Sequence, residues 1–218
     1  MKKACLFGLS LLLCLGLIGC GSSNPQPSGS PTQTAVATDA ANANAPAVSF
    51  TEEDVRAMLP MMDSVMLCLT EGAAESHTFS DASYVWSLLY YLCVNHPSVS
   101  SHIAVDDQAG TLSISAEGLL SLASACFENP SSLPAVPSDF PSIRFDSKTN
   151  QYTMTLSDRG SSKSDIRSIQ FTEDHTAVAT VDLIDMNSGD YLQTFTFVLA
   201  ANPQAEKSGY PLTISHIE

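Results

Sequence analysis

Asp185, Asn187 and Asp190 are three closely spaced side chains that could together bind a hard cation. Carboxylate and amide oxygens are the ligands that calcium prefers. The segment departs from an EF-hand loop, because Gly189 comes one position too early and no glutamate closes the loop. A plain hairpin turn is therefore the favoured interpretation, and a calcium site is the alternative.

His102 lies close in sequence to two aspartates and could act with one of them as an acid–base pair. Asp106 and Asp107 follow it within a predicted short hairpin. Such a pair needs the hairpin to fold the side chains together, and sequence neighbours at a turn are more often solvated. We keep an enzyme with His102 or His175 as its base as an alternative to a binding protein.

The rest of the sequence lacks the spacings of common catalytic and metal motifs. It contains no G-x-S-x-G, H-E-x-x-H, S-x-x-K, C-x-x-C or phosphate-binding G-x-x-x-x-G-K-[ST] sequence. The remaining histidines, His77, His96 and His216, are dispersed. We therefore expect no catalytic residue that the sequence can identify, no metal site and no cofactor.

The cysteines divide into two groups. Of six in the chain, three lie within the first 20 residues and three, Cys68, Cys93 and Cys126, lie in predicted helices among apolar neighbours. Three cysteines cannot all pair with one another, so a disulfide-rich scaffold is excluded. We expect buried free thiols, with one disulfide, Cys68–Cys93 or Cys93–Cys126, as the alternative.

The beginning of the chain has the composition of an export signal. Lys2 and Lys3 are followed by an apolar run over residues 4–18, which is shorter than the roughly 20 apolar residues of a membrane span. The run ends in Leu17-Ile18-Gly19-Cys20, which resembles the lipobox of bacterial lipoproteins. The resemblance implies cleavage before Cys20 and acylation of Cys20 with chains such as palmitate. An ordinary secretory signal is the alternative.

Residues 20–46 are predicted to be a disordered tether, and residues 47–218 a single domain. The tether is rich in Ser, Thr, Pro, Gly, Asn and Ala, and as a flexible coil it would span roughly 25–30 Å. The whole chain carries 9 Lys and Arg against 23 Asp and Glu, a formal net charge of −14. Coulomb repulsion then argues against nucleic acid as a partner.

Helical periodicity dominates residues 47–128. Thr51 and Asp54 can form a capping box at the start of a first helix, and Pro60 predicts a kink or restart near Leu59. Ser80-Asp81 can open a second helix that ends near Asn95. A short hairpin over residues 102–114 then precedes a third helix, which runs from a Ser115 cap to Asn129.

After a proline-rich connection, residues 143–218 alternate apolar and polar side chains. This period of two predicts one antiparallel meander of five or six strands with one buried face. The apolar positions are Ile143, Phe145, Tyr152, Met154, Leu156, Ile169, Phe171, Val181, Leu183, Phe195, Phe197, Leu199, Leu212 and Ile214.

The predicted fold class is α+β, with helices packed on a curved antiparallel sheet. The order of its elements resembles the NTF2-like cone, a family whose curved sheet wraps helices and often leaves a pocket. We expect a lipid-anchored module that binds a protein or small molecule, outside the cytoplasmic membrane or on an outer membrane. A hydrolase or isomerase in an NTF2-like cavity and a structural envelope protein are the alternatives.

Overall fold

Caps and one proline set the boundaries of the first two helices. A computed structural model describes residues 49–72, 76–157 and 161–218. Helix α1, Glu52–Ala57, begins at the predicted capping box: Thr51 Oγ1 accepts from the Asp54 amide, and the Asp54 carboxylate accepts from the Thr51 amide at 2.8 Å. Helix α2, Leu59–Thr70, restarts with Pro60 in its first turn, where a missing N–H costs nothing. The predicted break at Leu59 is confirmed.

The next two helices begin at the predicted side chains. Asp81 accepts from the amides of Ser83 and Tyr84 and caps α3, Ala82–Asn95. Ser115 accepts from the amide of Gly118 and caps α4, Ala116–Cys126. A fifth helix of one turn, α5, spans Ala205–Ser208.

Among the described residues, eight strands form two separate antiparallel sheets. The first, which we call the hairpin sheet, has the order β1-β2-β4-β3, and the second, the meander sheet, has the order β5-β6-β7-β8. The strands are β1 Ile103–Asp106, β2 Thr111–Ser115, β3 Ile143–Asp146, β4 Gln151–Thr155, β5 Ser162–Phe171, β6 Ala177–Asp185, β7 Tyr191–Ala201 and β8 Leu212–Ile217.

The predicted α+β class is confirmed, but the prediction of one meander from Ile143 onward is wrong. Strands β3 and β4 belong to the sheet of the earlier hairpin. One edge of β4 pairs with β3, and its other edge pairs with β2 along the whole of Thr111–Ser115. Only the last four strands form a meander. Alternation of side chains reports which residues are strands and which face is buried, but not which strand is the neighbour.

The two hairpins of the hairpin sheet repeat one another in sequence and register. Ile103 pairs with Ile114 in the first as Ile143 pairs with Met154 in the second. Each turn starts at an aspartate and ends at a residue with positive φ. The sequences from Ile103 and from Ile143 read IAVDDQAGTLSIS and IRFDSKTNQYTMT.

A pseudo-two-fold axis relates these hairpins. The Ala116 amide donates to the Asn150 carbonyl at 3.0 Å, and the equivalent Leu156 amide donates to the equivalent Gly110 carbonyl at 2.9 Å. At the centre of the sheet, Ser113 pairs with Thr153. The hairpin sheet is therefore built from two copies of one unit.

The helices contact both sheets. Helix α2 packs on β5 and β6, and α4 contacts both β2 and β8. In α3, Trp86 packs against Tyr152 of the hairpin sheet, with ring centroids 5.0 Å apart. These contacts bury one continuous apolar core, in which the alternate β6 side chains Ala177, Ala179, Val181 and Leu183 take part.

The described residues belong to one compact unit, Ala45–Glu218. None of the helices that the structure describes has the length and apolar character needed to cross a membrane.

Candidate functional site

A polar groove lies between α4, the start of β1 and the connection from β7 to β8. We call it the His102 groove. It consists of a hollow of about 430 Å³ and an adjoining one of about 310 Å³, sizes that suit a small ligand. Three residues line both hollows and form the waist between them: His102, Ser121 and Lys207.

Asn202 holds one wall of the groove in place. Asn202 is 6% exposed, and its side-chain amide donates to the Ser208 hydroxyl and the Tyr210 carbonyl, each at 3.0 Å. Its side-chain oxygen accepts from the Gln204 amide at 2.9 Å. A buried amide with this many partners fixes the backbone around it, so the connection is a preformed wall.

Gly118 makes room for His102. A Cβ at residue 118 would lie 2.7 Å from the His102 Cβ, closer than real Cβ contacts occur. Glycine costs roughly 1 kcal/mol relative to alanine within a helix. Its presence in α4 is therefore explained by the close approach of His102.

Four titratable side chains in the groove have no partner among the described residues. The His102 ring, the Lys207 ammonium, and the carboxylates of Glu117 and Glu206 are exposed and make none of the ion pairs or side-chain hydrogen bonds of that part of the chain. Two hydroxyls of the wall donate to the backbone, from Tyr210 Oη to the Val99 carbonyl at 2.5 Å and from Ser121 Oγ to the Lys207 carbonyl at 3.2 Å. Their remaining lone pairs can accept hydrogen bonds.

The predicted acid–base pair of His102 with an aspartate is not formed. His102 lies just before β1 and Asp106 lies at its far end, which is roughly 13 Å away in an extended strand. The Asp106 carboxylate accepts instead from the amides of Gln108 at 3.1 Å and Ala109 at 3.0 Å, and Asp107 follows it in the turn. His175, the other candidate base, is exposed at the β5–β6 turn with a φ of 60°.

The Asp185 segment has the geometry of a hairpin turn. Asp185 Oδ1 accepts from the amides of Asn187 at 2.7 Å and Ser188 at 3.0 Å, and these bonds lower the pKa of its carboxyl. Gly189 has a φ of 75°. The turn that begins at Asp106 has the same two bonds, and in the turn that begins at Asp146 the Lys148 amide and the Thr149 hydroxyl donate to the carboxylate. The backbone thus occupies one of the two Asp185 carboxylate oxygens, Oδ1.

Asp190 also belongs to this turn, where its amide donates to the Ser188 hydroxyl at 3.1 Å. Within the described ranges, no group of three or more His, Cys, Asp or Glu side chains is arranged to hold a metal ion.

A second polar cluster joins three elements around Asp63 of α2. Asp63 is 8% exposed, and its carboxylate accepts from His96 Nε2 at 2.8 Å and from the Ser164 hydroxyl of β5. In a catalytic triad the histidine lies between serine and aspartate. Here the aspartate lies between the other two and accepts from both, so the histidine is not placed to activate the serine, and the cluster connects α2 with β5 and the end of α3.

The three cysteines of the domain are buried free thiols in the structure. Cys68, Cys93 and Cys126 are each 0% exposed, and none forms a disulfide. Burial raises the pKa of the Cys93 thiol to about 12 and also raises the pKa of the other two. A thiolate nucleophile at neutral pH is therefore disfavoured at all three positions.

No protein-family model, curated protein or solved structure matches the chain. Cys20 lies outside the described residues, so its acylation stays a prediction. Sequence reasoning singled out His102 but missed Lys207, Asn202 and the groove. The glycine within α4 was the one signal that pointed to a close approach there.

Proposed function

We propose that this chain is a lipid-anchored extracytoplasmic binding module whose ligand occupies the His102 groove. The sequence up to Cys20 supports the anchor, and the groove supports binding. Each half of the proposal has its own test.

The anchor rests on Leu17-Ile18-Gly19-Cys20 at the end of a short apolar run. Acyl chains on Cys20 would bind a bilayer with about 0.8 kcal/mol for each buried methylene, and two chains give stable attachment. Residues 20–46 would then act as a tether between the bilayer and the domain, with a span of roughly 25–30 Å.

The binding half rests on one observation, the convergence of unpartnered charged groups on a preformed groove. His102, Lys207, Glu117 and Glu206 line the groove, and none of their side chains has a hydrogen-bond or ion-pair partner among the described residues, so their polar groups remain available to a ligand. Convergent polar groups on a concave, rigid wall are typical of small-ligand sites.

Metabolic labelling with radioactive palmitate tests the anchor. The full chain is expressed in a bacterial host as wild type, Cys20→Ser and Cys14→Ser, the last being a matched control within the signal. We expect label and sedimentation with membranes for wild type and Cys14→Ser, and neither for Cys20→Ser. Equal labelling of Cys20→Ser would overturn the anchor.

A fragment screen by ¹H–¹⁵N NMR tests the binding half. It uses the full chain with Cys20→Ser, which removes the acylation site without touching the groove. We expect bound fragments to shift resonances of residues 99–102, 117–122 and 204–210. Shifts confined to other surfaces, or none at all, would overturn the groove as the ligand site.

A further inference from the structure

We infer that the His102 groove binds a short peptide with free ends, its carboxylate against Lys207 and His102 and its ammonium against Glu206 or Glu117. This inference rests on the proposed binding function and adds the chemical class of the ligand.

The arrangement of charges carries the inference. Lys207 lines both hollows of the groove, and each hollow has one glutamate, Glu206 in the larger and Glu117 in the smaller. Within the described residues, Lys207 forms no ion pair with either. Each hollow therefore offers a cation and a carboxylate that a ligand of two opposite charges can satisfy together.

A ligand of one charge fits the groove less well. A simple anion would meet two glutamates in a chain of net charge −14, and a simple cation, although this net charge attracts it, would leave Lys207 without a partner. A zwitterion places each of its ends against the opposite charge. Its dipole would also fix which of its ends lies at Lys207.

The size and the walls of the groove favour a peptide over a single amino acid. The larger hollow alone is about 430 Å³, which exceeds the space that one amino acid fills. Ser121 lines both hollows and Tyr210 lines the larger one, and their hydroxyl oxygens retain lone pairs, since their protons are directed at backbone carbonyls. These oxygens can accept from peptide N–H groups, which a single amino acid lacks.

The second hairpin shows that a hairpin of this kind forms without a histidine at the position of His102. At the position equivalent to His102 it has Ser142, while Ile143 and Asp146 repeat Ile103 and Asp106. The hairpin sheet thus forms around either residue. His102 precedes the first hairpin, which borders the groove, and it lies against Gly118 of α4.

Titration of four probes into the full chain carrying Cys20→Ser tests the inference, with calorimetry and NMR as readouts. The probes are trialanine, N-acetyl-trialanine amide, alanine and N-acetylglucosamine. We expect trialanine to bind and to shift the His102 ring resonances, and we expect binding to weaken at high salt. The capped peptide and the sugar should bind at least about tenfold more weakly, because charge-assisted hydrogen bonds contribute more than neutral ones.

Charge variants locate the two ends. Lys207→Gln should weaken trialanine binding at least about tenfold. Of Glu206→Gln and Glu117→Gln, the variant that removes the partner of the ammonium should weaken binding by the same factor. Lys163→Gln is the matched control, since Lys163 is an exposed lysine beside the Asp63 cluster and away from the groove. It should leave binding unchanged.

The outcomes that overturn the inference differ from those that overturn the binding function. If the capped peptide or the sugar binds as tightly as trialanine, the ligand class is wrong while the groove still binds. If alanine binds as tightly as trialanine, the peptide is wrong. If no probe binds, the ligand class is again wrong, and the fragment screen decides whether the groove binds anything.

Discussion

His77 is a histidine that the fold keeps neutral. Its Nε2 lies 2.8 Å from the Cys126 carbonyl, which can only accept, so Nε2 carries the proton and Nδ1 accepts from the Tyr84 hydroxyl at 2.7 Å. The ring stacks on Phe127 with centroids 4.8 Å apart. Burial lowers the pKa of His77 to about 4. His77 therefore contributes to structure in its neutral form. In acid, protonation of its ring destabilises the folded state.

This depressed pKa predicts a pH-dependent stability. Between pH 6.5 and about 4 the unfolded chain binds a proton at His77 that the folded chain does not, so the free energy of unfolding falls as the pH is lowered through this window. The loss should approach about 3 kcal/mol at pH 4. Urea denaturation at pH 4 to 8 measures it.

Two variants isolate the contribution of His77 from that of other groups. His77→Phe keeps a ring against Phe127 and should be less stable at pH 7, but with a shallower slope below pH 6.5. His175→Asn, at an exposed turn with a φ of 60° that asparagine tolerates, should keep the wild-type slope. Equal slopes for wild type and His77→Phe would contradict the assignment.

Thr213 carries a hydroxyl that the fold leaves unsatisfied. It is 1% exposed, and within the described residues its Oγ1 is the one buried side-chain polar atom without a hydrogen bond. An unsatisfied buried group costs about 1–3 kcal/mol. Thr213→Val has a similar shape and should raise the free energy of unfolding by about 1 kcal/mol.

Thr194→Val is the matched control for this stabilisation. Thr194 lies on the neighbouring strand β7, but its hydroxyl donates to Asp182 at 2.5 Å. The same substitution there should lower stability. A loss at both positions, measured by thermal or urea unfolding, would show that the Thr213 hydroxyl has a partner.

At the scale of elements, the repeated hairpin offers an internal comparison of turn residues. Gly110 ends the first turn with a φ of 63°, and Asn150 ends the second with a φ of 54°. No atom lies within 4 Å of a Cβ built on Gly110, so backbone strain alone decides which residue fits. Gly110→Asn should change stability by less than about 0.5 kcal/mol, whereas Gly110→Val should cost about 1–2 kcal/mol. Equal losses for both would show that the turns are not equivalent.

The helix boundaries could be predicted from sequence because their caps are local signals. The pairing of strands into two sheets could not, because no local signal specifies it. Thr51, Asp81 and Ser115 cap helices where the sequence places them, because a cap is a contact over two or three residues. The pairing of β2 with β4 joins residues far apart in sequence and depends on which edge is free. The alternation in Tyr152 and Met154 marks a buried face equally well in either sheet.

The groove could not be predicted from sequence either, because it depends on contacts between residues far apart in the chain. His102, Ser121 and Lys207 come from three separate segments, and only the packing of α4 against the β7–β8 connection brings them together. A sequence neighbour such as Asp106 is visible but lies at the other end of a strand. Sequence thus identified one residue of the candidate site but not its partners.

At the scale of the whole molecule, the helices pack against both sheets. Asp63 of α2 adds a hydrogen bond to the meander sheet. Trp86, the one tryptophan, packs on the hairpin sheet through Tyr152, whereas Asp63 binds Ser164 of the meander sheet. Because one apolar core includes residues of both sheets, we expect the domain to unfold as a single unit. Loss of the Asp63 contacts should then shift the unfolding transition that is followed by Trp86 fluorescence.

Asp63→Ala tests this cooperativity. It leaves His96 and Ser164 without their acceptor and should lower the free energy of unfolding by about 1–3 kcal/mol. In urea, the transitions followed by Trp86 fluorescence and by far-UV circular dichroism should shift together, as a two-state unit requires. Asp165→Asn, an exposed position on the same strand as Ser164, should shift neither. If the dichroism transition moves while the Trp86 transition stays, the two sheets unfold separately.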